Sequence, residues 1–253
     1  MNINLQKNVF RCNYCDQHGG MLALYATARS ISNAEAFQEI CDSLQTGTLS
    51  AAATPPSRKD APEPTLSIPQ SELADIREIH RTLSSLFALL DLSVFHRKKL
   101  LARGLSDEQI DILGYRSTPS PHLCMSLTER LIRQGCTVLG VPGFYRSGGR
   151  WTVKFYERTS GILIPIRGID GLLRGAQIRL DVPIRDENDA RNGKEGTKYV
   201  WFSSCGKPMG VTSGSPVHFV GDPFARTVYV TEGALKGDVA HCLMNRTFAC
   251  VAG

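Results

Sequence analysis

From Thr46 to Gln70 the chain carries no apolar period. Gly, Ser, Thr and Ala are interrupted by five prolines, Pro55, Pro56, Pro62, Pro64 and Pro69, and each Pro fixes φ and removes a backbone donor, so neither a helix nor a central strand can run through the stretch. It reads as a linker, and no single core can be threaded across it. The 253 residues therefore divide into modules. They are a short segment (1–45), the linker (46–70), a helical block (71–135), a β-rich module (136–226) and a closing strand, helix and strand (227–253).

Local patterns assign the elements. In Ala34–Leu44, Phe37, Ile40, Cys41 and Leu44 recur at helical spacing with Ser32 or Asn33 as N-cap. After the linker, Ser71 is placed to cap a helix whose Leu73, Ile76, Leu83, Leu86, Phe87 and Leu90 recur every three or four residues. Ser106 with Gln109 and Ser126 with Glu129 have the spacing of capping boxes. His80, His96 and His122, without a second ligand at metal spacing, read as surface or packing histidines. From Thr137 the period becomes two. Val138–Phe144 and Trp151–Tyr156 flank one Gly-bearing turn, and Ile162–Arg167 and Leu172–Leu180 flank Ile169-Asp170-Gly171. Both predict hairpins, the second with a type I′ turn at Asp-Gly. Lys198–Phe202 predicts a further strand.

The closing segment is strand (Thr227–Thr231), break (Glu232-Gly233), helix (Ala234–Asn245) and strand (Thr247–Val251). This is a parallel βαβ unit, expected to leave open edges with no sheet to join, as if the sequence stopped within a domain. The fold class is α+β and multi-modular.

With 42% hydrophobic and 21% charged residues the composition is globular, not fibrous or disordered. No apolar run approaches the ~18 residues of a membrane span, and the first ten residues lack a signal-peptide apolar region, which places the chain in the cytoplasm without a membrane partner. Eight cysteines are spread widely, so a metal site or buried thiols are favoured over a disulfide framework. The net charge is +5, and residues 131–226 hold 14 Lys and Arg against 8 Asp and Glu, while the remaining segments balance to within one charge. A basic block of this kind suits phosphate backbones, and a solvated face gives the same count.

Two places carry chemistry. Cys12-Asn13-Tyr14-Cys15 with Gly19-Gly20 behind it is a C-x-x-C knuckle, with His18 as a third Zn²⁺ ligand. Structural zinc takes four ligands, and a pair of reduced thiols has the same sequence. Glu232, at the carboxyl end of a parallel strand, stands where open α/β sheets place ligands, with Lys236 and Asp238 on the next helical turn. Carboxylates held in this way serve metal-assisted phosphoryl chemistry, although an ordinary strand-to-helix turn with a solvated Glu reads the same.

Phe10-Arg11-Cys12-Asn13-Tyr14-Cys15 with Gly19-Gly20 resembles the second half of the CHC-type zinc ribbon of bacterial and phage DNA primases, without the upstream Cys-x-x-His pair. Val228-Tyr229-Val230-Thr231-Glu232-Gly233, the helix with Lys236 and Asp238, and Phe248–Gly253 resemble the first motif of a Toprim domain, as found in primases of phages and integrative elements. The second Toprim motif, an Asp-x-Asp pair, is not in the sequence. Gly161–Arg167, Gly175–Arg179 and Lys198–Ser203 are similar to the basic module that precedes Toprim.

The resemblance implies a partial zinc ribbon and the first βαβ unit of a Toprim domain. It also implies a primase-like replication protein of a mobile element or phage, whose parent makes primers by template-directed, metal-assisted phosphoryl transfer, this chain alone being inactive. Glu232, Lys236 and Asp238 would be catalytic, with Mg²⁺ or Mn²⁺. Arg167, Arg179, Lys198 and Tyr199 would line the path of single-stranded DNA template and nucleotides, and a replicative helicase would be a partner. Arg146 and Arg150, flanked by Phe144, Tyr145 and Trp151, add cations beside stacking surfaces. A non-catalytic single-stranded nucleic-acid-binding accessory protein, or another Toprim enzyme such as a nuclease or topoisomerase, stands as the alternative.

Overall fold

The computed structural model describes residues 2–4, 9–11, 18–46, 70–185, 189 and 193–251. Contacts divide the chain into two units, Met1–Ser67 and Ile68–Gly253.

In the first unit, β1 (Asn2–Asn4), β2 (Val9–Arg11) and β3 (His18–Gly20) form an antiparallel sheet in that order. Two helices follow, α1 (Met21–Arg29) and α2 (Asn33–Thr46). The predicted N-cap is present: Glu35 N–H donates to Ser32 Oγ at 3.2 Å, and Ser32 N–H donates to the Glu35 carboxylate at 2.8 Å. Arg29 pairs with Glu39 across the two helices. The sequence reading missed α1. Phe37 is 59% exposed although it lies on the expected apolar face; among the described residues of this unit the buried hydrophobics are Phe10, Ala26 and Ala36, a small core.

The second unit begins with α3 (Ile76–Ala88), α4 (Val94–Leu101), α5 (Asp107–Leu113), β4 (Arg116–Ser117) and α6 (Cys124–Arg133). The cap of α3 is Asp75, which accepts from Arg77 N–H at 2.8 Å. Ser71 instead donates to the Met209 carbonyl at 2.8 Å, so the helix starts four residues later than a Ser71 cap would place it. The Ser106–Gln109 capping box forms. The Ser126 box does not, because a 3₁₀ turn at Pro121–Leu123 starts α6 earlier and leaves Ser126 inside the helix, donating to Leu123.

A hairpin follows, β5 (Phe144–Ser147) with β6 (Arg150–Val153). Its two-residue turn is Gly148-Gly149, both at positive φ (54° and 80°), which glycine adopts without strain. Val138 and Val141 are buried while Leu139 between them is exposed, and the segment is irregular. Gly140, Pro142 and Gly143 break the expected strand, and β5 starts only at Phe144.

The main sheet is antiparallel, in the order β4, β7 (Gly161–Arg167), β8 (Leu173–Ile184), β9 (Thr197–Trp201). The β7–β8 hairpin forms as expected, but its turn is not type I′. Asp170 keeps negative φ and only Gly171 is positive, with Gly171 N–H bonded to the Gly168 carbonyl at 2.9 Å. Side chains alternate along β7 and separate two cores. Leu163 joins Leu83, Leu86, Leu131, Phe144 and Phe202 on the α3 and α6 side. Ile162, Ile164 and Ile166 join Leu100, Ile110, Tyr115, Ala234 and Leu235 on the other.

The last sheet has the order β10 (His218–Val220), β12 (Thr247–Val251), β11 (Val228–Glu232), with α7 (Ala234–Met244) as the crossover between the parallel pair β11 and β12. The βαβ unit is as expected. The expectation that it has no sheet to join is corrected: β10 pairs antiparallel with β12, and α7 buries Ala234 and Leu235 against β7.

Candidate functional site

The carboxyl end of β11 delivers Glu232 to the surface. Gly233 (φ 82°, ψ 132°) turns the chain into α7, and its N–H is tied to the Val251 carbonyl at 2.7 Å. Glu232 is 71% exposed, with the Lys236 ammonium at 3.5 Å.

Asp238, one turn further, is buried to 1% exposure. It accepts from the Tyr115 hydroxyl at 2.6 Å and from His218 Nε2 at 2.8 Å. His218 Nδ1 accepts from the Arg167 backbone N–H at 3.0 Å, which puts the imidazole hydrogen on Nε2, facing the carboxylate. Burial first, and the Asp238 charge second, push the Tyr115 phenol far above its ordinary range and keep it a donor. The half-buried Arg167 guanidinium is destabilised as a cation by desolvation and supported by Asp238. Asp238, His218 and Arg167 wall a cavity of about 240 Å³ with Ile112, Gly168 and Gly221.

Glu232 and Asp238, read together in the sequence, thus have different environments: one carboxylate is open to solvent, the other consumed by the fold. Of the remaining basic residues, Lys198 is exposed and ion-paired with Glu195. Tyr199 packs against the second core, with Arg179 opposite it in the ladder. The Arg146 guanidinium donates to the Gly149 carbonyl at 2.6 Å and staples its own hairpin, while Arg150 is exposed at the tip. Phe144 is fully buried edge-on to Phe202, so it serves packing. Cys12 and Cys15 lie outside the described residues, and His18 is exposed on β3. Among the described residues no group of three His, Cys, Asp or Glu is placed to hold a metal.

Sequence reasoning missed Tyr115 and His218, whose roles depend on partners 123 and 20 residues away. His96 was expected to be a surface or packing histidine, and its polar partners were not foreseen. His96 is buried between Ser117 Oγ (2.6 Å from Nδ1) and Asp181 (3.0 Å from Nε2), and Lys99 pairs with the same Asp181 at 2.8 Å. Burial alone would raise the Asp181 pKa, but the hydrogen bonds from Lys99 and His96 outweigh it and hold the carboxyl below its ordinary range.

No family model matches the sequence, and no curated protein matches it. Solved structures do. The Aquifex aeolicus primase, with its zinc-binding and RNA polymerase domains, aligns with 99% of this chain and 56% of its own at 15% identity and a TM-score of 0.49. The RNA polymerase domain of Mycobacterium tuberculosis primase DnaG, in complex with a double-stranded DNA oligomer bearing a 6-nucleotide overhang, aligns with 72% of this chain and 56% of its own at 18% identity and a TM-score of 0.52. The same domain with another double-stranded DNA gives 70% and 55% at 18% identity and a TM-score of 0.51. The chain thus spans little more than half the length of the solved primase chains it matches. Identities of this order speak for the fold alone, which over about 72% of the chain is the α+β fold of a primase RNA polymerase domain.

Proposed function

We propose that the chain is a primase-like replication protein that holds single-stranded DNA template on its β-rich basic module. The fold likeness to primase RNA polymerase domains carries this reading. The finer parts of the proposal are that 1–45 is a partial zinc ribbon, that 227–253 opens a Toprim-like domain, that the protein serves a mobile element, and that a replicative helicase is a partner. Arg167, Arg179 and Arg150 are the proposed template contacts, with Lys198 available on release of Glu195.

Magnesium, which the resemblance implies, takes six oxygens, commonly one or two carboxylates with waters and substrate phosphates. The described residues do not fit that need. Glu232 is a single carboxylate already facing the Lys236 ammonium, and Asp238 is buried with each oxygen already hydrogen-bonded, one to Tyr115 and one to His218. No metal-dependent step can be assigned to these side chains. The same observation favours a second reading for these 253 residues taken alone, that of a template-binding protein which does not itself join nucleotides.

The test is titration of a labelled single-stranded oligonucleotide at several salt concentrations, together with incorporation of labelled nucleotide on a single-stranded template. Binding that weakens steeply with salt, with a log-log slope shallower by about 0.7 in Arg167→Ala, supports the reading. No binding at low salt overturns it. Incorporation by the chain itself overturns the second reading.

A further inference from the structure

We infer that Lys154 and Lys207 form a phosphate-binding site on the β-rich module, taking one phosphodiester of a single strand. The inference rests on the nucleic-acid-binding reading above and adds a site to it. Lys154 leaves β6 with its N–H anchored on the Gly143 carbonyl at 2.8 Å. Lys207 is carried by the turn Ser204–Gly210, where Lys207 N–H bonds the Ser204 carbonyl at 3.0 Å and Gly210 N–H bonds the Lys207 carbonyl at 2.8 Å. That turn is tied down from outside as well. Gln70 donates to the Lys207 carbonyl at 2.9 Å, Ser71 to the Met209 carbonyl at 2.8 Å, and Arg146 N–H to the Pro208 carbonyl at 2.8 Å. The backbone that presents the two ammonium groups is therefore held from several elements at once.

What they face lacks a counter-charge. Among the described residues no carboxylate pairs with either lysine. Lys154 is half-buried, and burial together with the neighbouring Lys207 charge lowers its pKa, with Tyr156 working in the opposite direction. The Lys207 ammonium lies 6.0 Å from the Tyr145 ring centre and 5.9 Å from that of Tyr156, within cation–π range. Two like charges brought together without an acid oppose folding, and an anion between them would remove that cost.

Beside Lys154 opens a cavity of about 180 Å³, lined by Tyr156, Thr159, Trp201 and Ser203, which supply hydroxyls and aromatic surface. Sites that enclose a whole small molecule run to roughly 300–1,000 Å³. This one is too small for an enclosed nucleotide and suits a single phosphate, with the strand continuing over the surface and a base resting on Tyr156 or Trp201.

The experiment uses the whole chain, a fluorescein-labelled oligo-dT and a salt series, with Lys154→Met, Lys207→Met and the double variant. Loss of the one phosphate contact shallows the log-log slope by about 0.7 in the double variant, and each single variant shallows it by part of that amount. Lys154→Met should also unfold at the wild-type temperature or above it, since it removes an unpaired, half-buried cation. Wild-type binding with an unchanged slope in the double variant overturns this site and leaves the functional reading standing. No wild-type binding overturns both. A Lys154→Met protein that unfolds well below wild type gives Lys154 a structural role and overturns the proposal. A deoxynucleoside triphosphate that protects both lysines from amine-reactive label, where oligo-dT does not, assigns the pocket to free nucleotide and overturns the assignment to a strand.

Discussion

The Tyr115 hydroxyl donates to Asp238 Oδ2 at 2.6 Å across 123 residues of sequence, joining the segment after α5 to the first turns of α7. Both side chains are buried, and His218 supplies the other carboxylate oxygen with its donor. The carboxylate is thereby compensated on both oxygens, as a buried charge must be.

Removing either partner exposes that dependence. Tyr115→Phe leaves Asp238 one donor short and should lower stability by about 1.5–3 kcal/mol, the worth of a hydrogen bond to a charged group. Asp238→Asn should fall in the same range. Glu232→Gln, at a site 71% exposed, should change stability by less than about 0.5 kcal/mol. Urea unfolding of the three variants checks this, and equal losses at Glu232 and Asp238 would contradict the separation of the two carboxylates.

Asp181 sets a pH dependence. Its folded pKa is depressed, so its contribution is fully present above the ordinary carboxylate value of about 3.9 and is lost as pH falls through the lower folded value. Wild type should therefore lose stability on acidification below about pH 5 more steeply than Asp181→Asn. Unfolding midpoints from pH 7 to pH 3 measure the difference, and parallel curves would show that Asp181 contributes nothing to it.

Gly237 lets α7 approach β12. A Cβ at this position would lie 2.0 Å from Cys250 Sγ, a buried thiol whose pKa is pushed up to about 12 by burial first and by Asp238 second. Gly237→Ala should cost about 1–3 kcal/mol by overpacking. Adding Cys250→Ala should restore part of the loss, a coupling that a double-mutant cycle reads directly.

Zinc analysis after dialysis should find less than one equivalent per chain. The proposed ligands Cys12, Cys15 and His18 number three where structural zinc takes four, and an incomplete shell would forfeit much of the coordination energy of a small ribbon. A full equivalent, lost in Cys12→Ala, would mean that other ligands complete the site.

Local regularities in this chain were readable because their causes are local. The Ser32 and Ser106 caps, the β7–β8 pairing and the β11, α7, β12 crossover depend on side chains within a few residues of one another or on a repeated period. The turn at Asp170 and the start of α3 were misread because each local pattern admits two solutions. The choice between them fell to Gly171 and to the distant Met209 carbonyl. Glu232 was legible as a strand-end carboxylate and stays one in the fold. The burial of Asp238 was not legible because Tyr115 and His218 reach it from far along the chain, and the lysines at 154 and 207 share Tyr156 as a neighbour only in the folded chain. By itself the sequence determined most of the elements and the basic excess, which are set by short-range sterics and composition. Only the tertiary structure decided which charges are compensated and which are left open, since that depends on what packing brings within about 3 Å.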